Sequence, residues 1–233
     1  MNQEAIIKYL KFPLQFDAEL MLRELQAIIE QLWVPHFNSG GYEGNWNVLS
    51  LYGVRGKADT IFVPLTNDLE MEETALLQDC PYVREVITSF QFPKIAVRLM
   101  RLEVGAVIKP HRDHELGYED GQFRLHIPIV TNPGVHFILD GEELTMRAGE
   151  CWYTNVNYEH SVANKGTEDR IHLVIDGVRN EWSDQLFFAE AHPDQFEAPK
   201  AVMDPATIQR VIEELKRQDN SVNKALIAEL KKK

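Results

Sequence analysis

The pair His111 and Asp113, separated by one residue, is the first feature of the sequence with an evident chemistry. In an extended strand the side chains of residues i and i+2 point to the same face, so an imidazole nitrogen and a carboxylate oxygen can bind one ion. A third ligand must come from elsewhere in the chain, and His160, 47 residues after Asp113, is the best candidate. Two histidines and one carboxylate leave open positions on a metal, an arrangement typical of non-haem Fe(II) oxygenases.

Two further stretches of the sequence supply groups for an anionic co-substrate. Arg170 lies ten residues after His160, at the start of the predicted strand RIHLVID. An arginine can hold a carboxylate with two parallel hydrogen bonds. Arg124 and His126 share a face of the predicted strand RLHIPIV and are candidates to bind either a second carboxylate or the keto-acid end of the first ligand. These side chains suit a dicarboxylate that binds the metal through its other end.

The other histidines need a separate interpretation, because an isolated histidine is more often structural than functional. His114 falls on the opposite strand face from the proposed ligands, so we expect it to be exposed or outside the direct ligand set. His36 and His192 lie in proline-containing loops and are expected to be ordinary surface residues. His172 shares a strand face with Arg170, and that polar face either meets water or lines a pocket inside the fold.

The elements that must position these residues are short strands. Residues 45–180 contain brief β-branched or aromatic runs with turn residues around them. The turn text includes Asn132-Pro133-Gly134 and Asp140-Gly141. The runs are NWNVLSLYG, TIFVPL, RLHIPIV, VHFIL, ECWYT and RIHLVID. Many short strands joined by tight turns predict a sandwich or a barrel.

Helical patterns flank the strand-rich region. Residues 1–44 are predicted to be a helical flank, and residues 181–233 are predicted to form C-terminal helices, one of them starting near Pro205. The apolar residues of the first flank recur at three- and four-residue steps: Leu20, Leu22, Leu25, Ile28, Ile29 and Leu32. A second, shorter C-terminal helix would contain Ala225, Leu226 and Leu230. These flanks would cover the core or form a homodimer surface.

The predicted organisation is one domain over residues 1–233, with a β core at 45–180. A short helix is predicted within residues 68–90. The loop at residues 114–123 is predicted to be either a lid over the metal site or an exposed loop without that role.

Composition restricts the partners and the compartment. The chain has 233 residues, with 24 basic against 36 acidic side chains, and its formal net charge is −12. That charge repels phosphate backbones, so nucleic-acid binding is not expected. Two cysteines far apart in the sequence, Cys80 and Cys151, favour a reducing compartment. The sequence also lacks a secretory signal pattern and any apolar run long enough to span a membrane, so we expect a cytoplasmic protein.

Longer stretches around these residues carry a resemblance to a known family. They read RLMRLEVGAVIKPHRDH, FRLHIPIV and AGECWYTNVNYEHSVANKGTEDRIHLVID, in this order between residues 98 and 180. These stretches resemble the sequences of the aspartyl/asparaginyl β-hydroxylase family of Fe(II)- and 2-oxoglutarate-dependent oxygenases. Vertebrate members have a glycine where this chain has Asp113. The chain is therefore more similar to bacterial members, which include the proline cis-hydroxylases.

The resemblance implies a fold and a role for each site residue. The fold would be mainly β, a double-stranded β-helix (a cupin-like jelly roll). His111, Asp113 and His160 would be the iron ligands and the catalytic centre. Arg170 would bind the distal carboxylate of 2-oxoglutarate, and His126 would contact its metal-chelating end. Arg124 would face the co-substrate or the carboxylate of the substrate.

The resemblance also implies a reaction. The enzyme would use O₂ and 2-oxoglutarate to hydroxylate an amino acid or an aspartyl/asparaginyl-like residue, releasing succinate and CO₂. A small molecule is the favoured substrate, because the chain shows no extra domain for gripping a protein. The alternative is a metal-dependent jelly-roll isomerase or dioxygenase that does not use 2-oxoglutarate and has no need for Arg170. A third reading, a binding module without turnover, is disfavoured by the intact set of three ligands.

Overall fold

The structure of the chain is a computed structural model that describes residues 6–26, 33–58, 70–197, 205–217 and residue 227. The described residues form thirteen strands: β1 (Tyr9–Gln15), β2 (Val34–Pro35), β3 (Tyr42–Glu43), β4 (Trp46–Val54), β5 (Met71–Glu73), β6 (Lys94–Leu102), β7 (Val107–His111), β8 (Gln122–Val130), β9 (Val135–Leu139), β10 (Glu142–Leu144), β11 (Glu150–Thr154), β12 (His160–Asn164) and β13 (Arg170–Val178). The α-helices are α1 (Ala18–Gln26), α2 (Pro81–Ser89), α3 (Glu181–Phe188) and α4 (Pro205–Lys216). Short 3₁₀ turns lie at Ser39–Gly41, Ala75–Asp79, Tyr118–Asp120 and Pro193–Phe196.

The strands pair into two antiparallel sheets. The larger sheet has the order β1-β11-β8-β13-β6-β4-β2, with β5 beside β4. The smaller sheet has the order β10-β9-β12-β7-β3. This architecture confirms the predicted mainly β, cupin-like double-stranded β-helix with helical flanks. Five of the predicted strand runs correspond to β4, β8, β9, β11 and β13.

The central strands of the larger sheet are buried on both faces. One face of β13 places Leu173 and Ile175 in an apolar core with residues of α1, α2 and α3. The opposite face of β8 and β13 carries polar side chains that are buried as well, namely Arg124, His126, Arg170, His172 and Asp176. Buried polar groups need hydrogen-bond partners. This second face is therefore suited to a binding site inside the fold.

The helices α1, α2 and α3 cover the outer face of the larger sheet. Met21 and Leu25 lie one turn apart on α1, and both are completely buried. The short helix predicted within residues 68–90 is α2, which begins at Pro81. Proline suits the first turn of a helix because its missing N–H has no intrahelical partner there.

The N-terminal segment differs from the helical flank predicted over residues 1–44. Its first described element is β1, which pairs antiparallel with β11 at the edge of the larger sheet. The apolar residues Leu10, Phe12 and Leu14 recur at every second position, which is the period of a strand. Pro13 is compatible with this place because an edge strand leaves one side unpaired. The flank therefore combines a strand with the helix α1.

The part predicted to be helical, residues 181–233, contains α3 and α4, and α4 begins at Pro205 as predicted. The chain divides into two compact units, Met1–Ala198 and Pro199–Lys233, so α4 is described by itself. The single-domain organisation stays a prediction. The predicted positions that lie outside the described residues are Ile28, Ile29, Leu32, the run TIFVPL and the helix with Ala225, Leu226 and Leu230. No helix among the described residues has the length and apolar character needed to cross a membrane.

The segment at residues 114–123 is anchored by a buried aromatic residue. Tyr118 is completely buried, and its ring stacks on Phe187 of α3 with the ring centroids 3.8 Å apart. The Tyr118 hydroxyl donates a hydrogen bond to Asp184 over 2.8 Å. This anchor ties the middle of the segment to α3, while His114, Glu115 and Asp120 are exposed, so the choice between a lid and an exposed loop stays a prediction.

Candidate active site

His111 and His160 are brought together by strand pairing in the smaller sheet. His111 is the last residue of β7 and His160 is the first residue of β12, and the two are direct partners in the antiparallel register. Their ring centroids lie 4.2 Å apart. The register between β7 and β12 shifts directly after this pair. Strand pairing thus places two residues that are 49 positions apart in the sequence at one point.

Asp113 completes the cluster from just beyond the end of β7. Its backbone N–H donates to the carbonyl of Val156 over 2.9 Å, which fixes the chain after the strand ends. Its Oδ1 atom lies 3.8 Å from Nε2 of His111. The three candidate ligand atoms, one each from His111, Asp113 and His160, all lie within 4.8 Å of one another. The structure therefore brings together the three residues that the sequence predicts as ligands.

Both histidines of the cluster are oriented by the backbone. Nδ1 of His111 lies 2.8 Å from the carbonyl oxygen of Lys109. Nδ1 of His160 lies 3.1 Å from the carbonyl oxygen of Tyr158. A carbonyl can only accept, so each Nδ1 carries a hydrogen, and in the neutral form of the ring the lone pair is on Nε2. This is the second-nitrogen bond by which proteins orient histidine ligands of metals.

The electrostatic environment favours the charge states that a metal requires. Burial by itself would raise the pKa of Asp113, but the charge of Arg124 and the two neighbouring histidines lower it to about 2. Burial lowers the pKa of His160 to about 4, and His111 acts in the same direction. At neutral pH the cluster therefore offers an ionised carboxylate and a neutral imidazole, the forms that bind metal ions.

Behind the cluster lies a buried network of ion pairs. Arg124 donates a hydrogen bond to Oδ2 of Asp113 over 2.6 Å. It also donates two hydrogen bonds to the carboxylate of Asp176, of 2.7 and 3.1 Å. Arg98 donates to Oδ2 of Asp176 over 2.6 Å. Asp176 is completely buried. The carboxylate of Asp113 is thus held through one oxygen, while its Oδ1 faces His111.

This network bears on the predicted role of Arg124. The sequence predicts that Arg124 contacts the co-substrate or the carboxylate of the substrate. In the structure three of its nitrogens donate to Asp113 and Asp176. Its position in the cavity wall agrees with the predicted place, and its role toward a ligand stays a prediction.

A second group of polar side chains has no carboxylate partner. Arg170 is buried, its Nη2 donates to Nδ1 of His172 over 2.9 Å, and its Nε has no hydrogen-bond partner. Burial lowers the pKa of Arg170 to about 9, so it stays charged at neutral pH. Both ring nitrogens of the buried His126 are also without a partner. An unsatisfied buried charge is costly, and an anionic ligand would remove that cost.

The two groups face one cavity of about 470 Å³. The cluster of His111, Asp113 and His160 lines it together with Arg124, His126 and Arg170. Its apolar wall includes Trp46, Met100, Ile108, Leu116, Phe137 and Val162. All six predicted site residues therefore line a single cavity. Its walls are partly apolar and several polar groups converge in it, as in sites that bind small molecules.

Sequence reasoning placed His36 wrongly and left the position of His172 open. His36, predicted to be an ordinary surface residue, is 7% exposed and lines the cavity. No local pattern could have placed it there, because its burial depends on the pairing of β2 with β4. His172, predicted to lie either in the pocket or on the surface, is buried against Arg170. His114 is exposed at the cavity edge, as expected.

The fold and the site define a jelly-roll protein with a two-histidine, one-carboxylate centre in a cavity between its sheets. Comparison with known proteins places it more narrowly. The family model described as aspartyl/asparaginyl beta-hydroxylase matches residues 15–180, well over half of the chain. The chain belongs to the aspartyl/asparaginyl β-hydroxylase family.

Two curated relatives match over most of the chain. L-proline cis-3-hydroxylase 1 of Streptomyces sp is 28% identical over 169 residues, covering 70% of this chain and 57% of that protein. L-proline cis-4-hydroxylase of Rhizobium meliloti (strain 1021) is 26% identical over 218 residues, covering 91% of this chain and 71% of that protein. The chain thus spans little more than half the length of the first relative. A crystal structure of a 2OG-Fe(II) oxygenase family oxidoreductase from Burkholderia pseudomallei is 17% identical, with a TM-score of 0.47 over 74% of this chain and 86% of that one.

Proposed function

We propose that the protein is an Fe(II)- and 2-oxoglutarate-dependent dioxygenase that hydroxylates a free amino acid. The observation that carries this proposal is the convergence of His111, Asp113 and His160 within 4.8 Å, beside a buried arginine without a carboxylate partner. Family membership and the proline hydroxylases among the relatives support the same reaction class. Succinate and CO₂ would be the products of the co-substrate.

The residues present fit an iron ion. His111 and His160 would bind it through Nε2, since each Nδ1 is engaged by a backbone carbonyl. Asp113 would bind through Oδ1, since Arg124 holds Oδ2. Two histidines and one carboxylate are the ligand set of non-haem Fe(II) oxygenases and leave positions for other ligands. When bound, the iron supplies the oxidising chemistry, and the protein positions the reacting C–H bond and excludes water.

The residues around Arg170 fit 2-oxoglutarate. The guanidinium is buried and charged, its Nε is unpartnered, and His172 restrains it through Nη2. Arginine binds a carboxylate with parallel hydrogen bonds, so Arg170 would hold the distal carboxylate. The unpartnered nitrogens of His126 are available to the end of the co-substrate near the metal. A jelly-roll enzyme that does not use 2-oxoglutarate would have no ligand for this arginine.

The cavity also supports a small amino acid as the substrate. About 470 Å³ is at the small end of the usual range for ligand pockets, and it must hold the co-substrate as well. Apolar side chains such as Trp46 and Ile108 form part of the wall. These features suit a compact substrate with an apolar side chain, as in the L-proline hydroxylases among the relatives.

The experiment measures succinate release from 2-oxoglutarate in the presence of Fe(II) and O₂, with L-proline and the other proteinogenic L-amino acids supplied one at a time. We expect at least one amino acid to stimulate succinate release and to gain one oxygen atom by mass spectrometry. His160→Ala should abolish the stimulated release. His136→Ala is the matched control, because His136 lies on β9 with an exposed side chain paired with Glu143. Stimulated turnover that survives His160→Ala would refute the proposal.

A further inference from the structure

His36 is fixed in the cavity wall directly after β2. Its backbone N–H donates to the carbonyl of Trp46 over 2.8 Å, which continues the pairing of β2 with β4. Its ring stacks on the indole of Trp46 with the centroids 3.6 Å apart and the planes 12° from parallel. An imidazole held in this way keeps one orientation in the wall of the cavity that it lines.

The hydrogen-bond pattern assigns the proton of this ring. The backbone N–H of Asn38 donates to Nδ1 of His36 over 3.3 Å, so Nδ1 is an acceptor. Burial, followed by the charge of Arg98, lowers the pKa of His36 to about 3, so the ring is neutral. A neutral imidazole that accepts at Nδ1 carries its hydrogen on Nε2. Among the residues that the structure describes, none accepts a hydrogen bond from this Nε2.

The charges of the cavity show what kind of ligand would use this donor. Apart from the exposed Arg112, the charged side chains that line the cavity or pair directly with its lining are Arg98, Arg124 and Arg170 against Asp113 and Asp176. Three cations against two anions leave one positive charge. Bound Fe(II) and doubly negative 2-oxoglutarate cancel each other, so this surplus persists in the loaded enzyme. Arg98 lines the same cavity as His36.

We propose that His36 binds the carboxylate of the substrate, donating from Nε2 to one carboxylate oxygen beside the positive charge of Arg98. This inference rests on the proposed function and adds a residue that selects the substrate. A donor fixed in this tautomer accepts nothing at Nε2, so it discriminates against an ammonium group at the same place. The stacked ring is already ordered, so binding costs little side-chain entropy.

The test uses the full-length protein loaded anaerobically with Fe(II) and 2-oxoglutarate and titrated calorimetrically with L-amino acids, starting with L-proline. His36→Phe keeps a ring against Trp46 and removes the donor. His36→Gln and His36→Asn are compared with each other. The side-chain amide nitrogen of glutamine reaches the position of Nε2, whereas that of asparagine does not. His192→Phe is the matched control: Nδ1 of His192 accepts the N–H two residues later over 3.3 Å, but the side chain is 67% exposed.

We expect His36→Phe to raise the Kd of the best-binding amino acid at least about tenfold, the loss typical of one hydrogen bond to a charged group. His36→Gln should restore most of the affinity, whereas His36→Asn should not, and His192→Phe should bind as the wild type does. The carboxamide of the same amino acid should bind more weakly to the wild type. Its Kd should rise less in His36→Phe than that of the acid, by about two- to tenfold, because its carbonyl oxygen is a neutral acceptor.

Several results would overturn the inference. They are an unchanged Kd in His36→Phe, equal weakening of the acid and its amide, or no binding of any amino acid to the loaded wild type. If His36→Phe does not fold, the glutamine and asparagine variants decide, and equal affinity of the two would count against the role. If 2-oxoglutarate itself does not bind to the iron-loaded wild type, the proposed function fails and the inference falls with it. If 2-oxoglutarate binds normally but the Kd of the amino acid does not change in His36→Phe, the inference is refuted and the proposed function is not.

Discussion

Replacing Asp176 by asparagine tests whether the buried ion pairs behind the cluster of His111, Asp113 and His160 stabilise the fold. Asp176 is completely buried and accepts hydrogen bonds from Arg124 at 2.7 and 3.1 Å and from Arg98 at 2.6 Å. Asparagine has nearly the same shape, but it carries no charge and turns an amide N–H₂ toward a guanidinium. Arg98 would then lose the carboxylate that holds it. Arg124 would keep its contact of 2.6 Å with Asp113.

The expected loss of unfolding free energy is about 3–5 kcal/mol, the cost of breaking a buried ion pair by removing one partner. We expect the lower end, since Asp113 still compensates part of the charge of Arg124. With about 2–4 °C per kcal/mol for a chain of this size, the melting temperature should fall by roughly 6–20 °C. A natural protein of this size has only about 5–15 kcal/mol of stability, so the effect is large.

The assay is urea unfolding of the metal-free protein, followed by tryptophan fluorescence in the presence of a chelator. Asp169→Asn is the matched control: Asp169 also pairs with an arginine, Arg101, but their side chains are 24% and 32% exposed. A surface pair of this kind contributes about 0–1 kcal/mol. If Asp176→Asn costs no more than Asp169→Asn, the reasoning about the buried network is wrong.

Three other substitutions have defined outcomes. Arg170→Met should raise the Kd of 2-oxoglutarate at least about 100-fold while Fe(II) stays bound, because two charge-assisted hydrogen bonds are lost. The Kd is measured by calorimetry, and a rise of less than about fivefold would show that Arg170 does not bind the co-substrate. Tyr118→Phe removes two hydrogen bonds to α3, of 2.9 and 2.8 Å, and should cost about 1–3 kcal/mol in urea unfolding. Gly149→Ala should destabilise the protein by at least about 1 kcal/mol more than Gly141→Ala, and equal losses would contradict this. Both glycines have a positive φ, of +78° and +81°, but only at Gly149 would a Cβ meet a backbone carbonyl.

The sequence was sufficient to predict five of the thirteen described strands and the candidate ligands. Runs such as VHFIL and ECWYT coincide with β9 and β11 because strand periodicity and turn residues are local properties. His111, Asp113 and His160 were predictable because few residue types bind metal ions and their order matches a known family. The polar face of β13 was also readable as alternation, although its burial required the second sheet.

The features that could not be predicted from the sequence depend on strand register and on long-range packing. Asp176 meets Arg124 because these residues are direct partners in the pairing of β13 with β8, and no local pattern encodes that register. His36 is buried because a two-residue strand places it on Trp46. The strand β1 was missed because its alternation is short and lies next to a leucine-rich stretch with helical spacing.

The central claim is that one cavity binds Fe(II) and 2-oxoglutarate together, through His111, Asp113, His160 and Arg170. Its most direct test is the weak visible absorption band of the iron chelate, recorded anaerobically as 2-oxoglutarate is added to the iron-loaded protein. We predict a saturable band that requires both components, that is lost in Asp113→Ala and that is retained in Asp169→Asn. Iron that binds at this site without producing the band, or a band that persists in Asp113→Ala, would contradict the account.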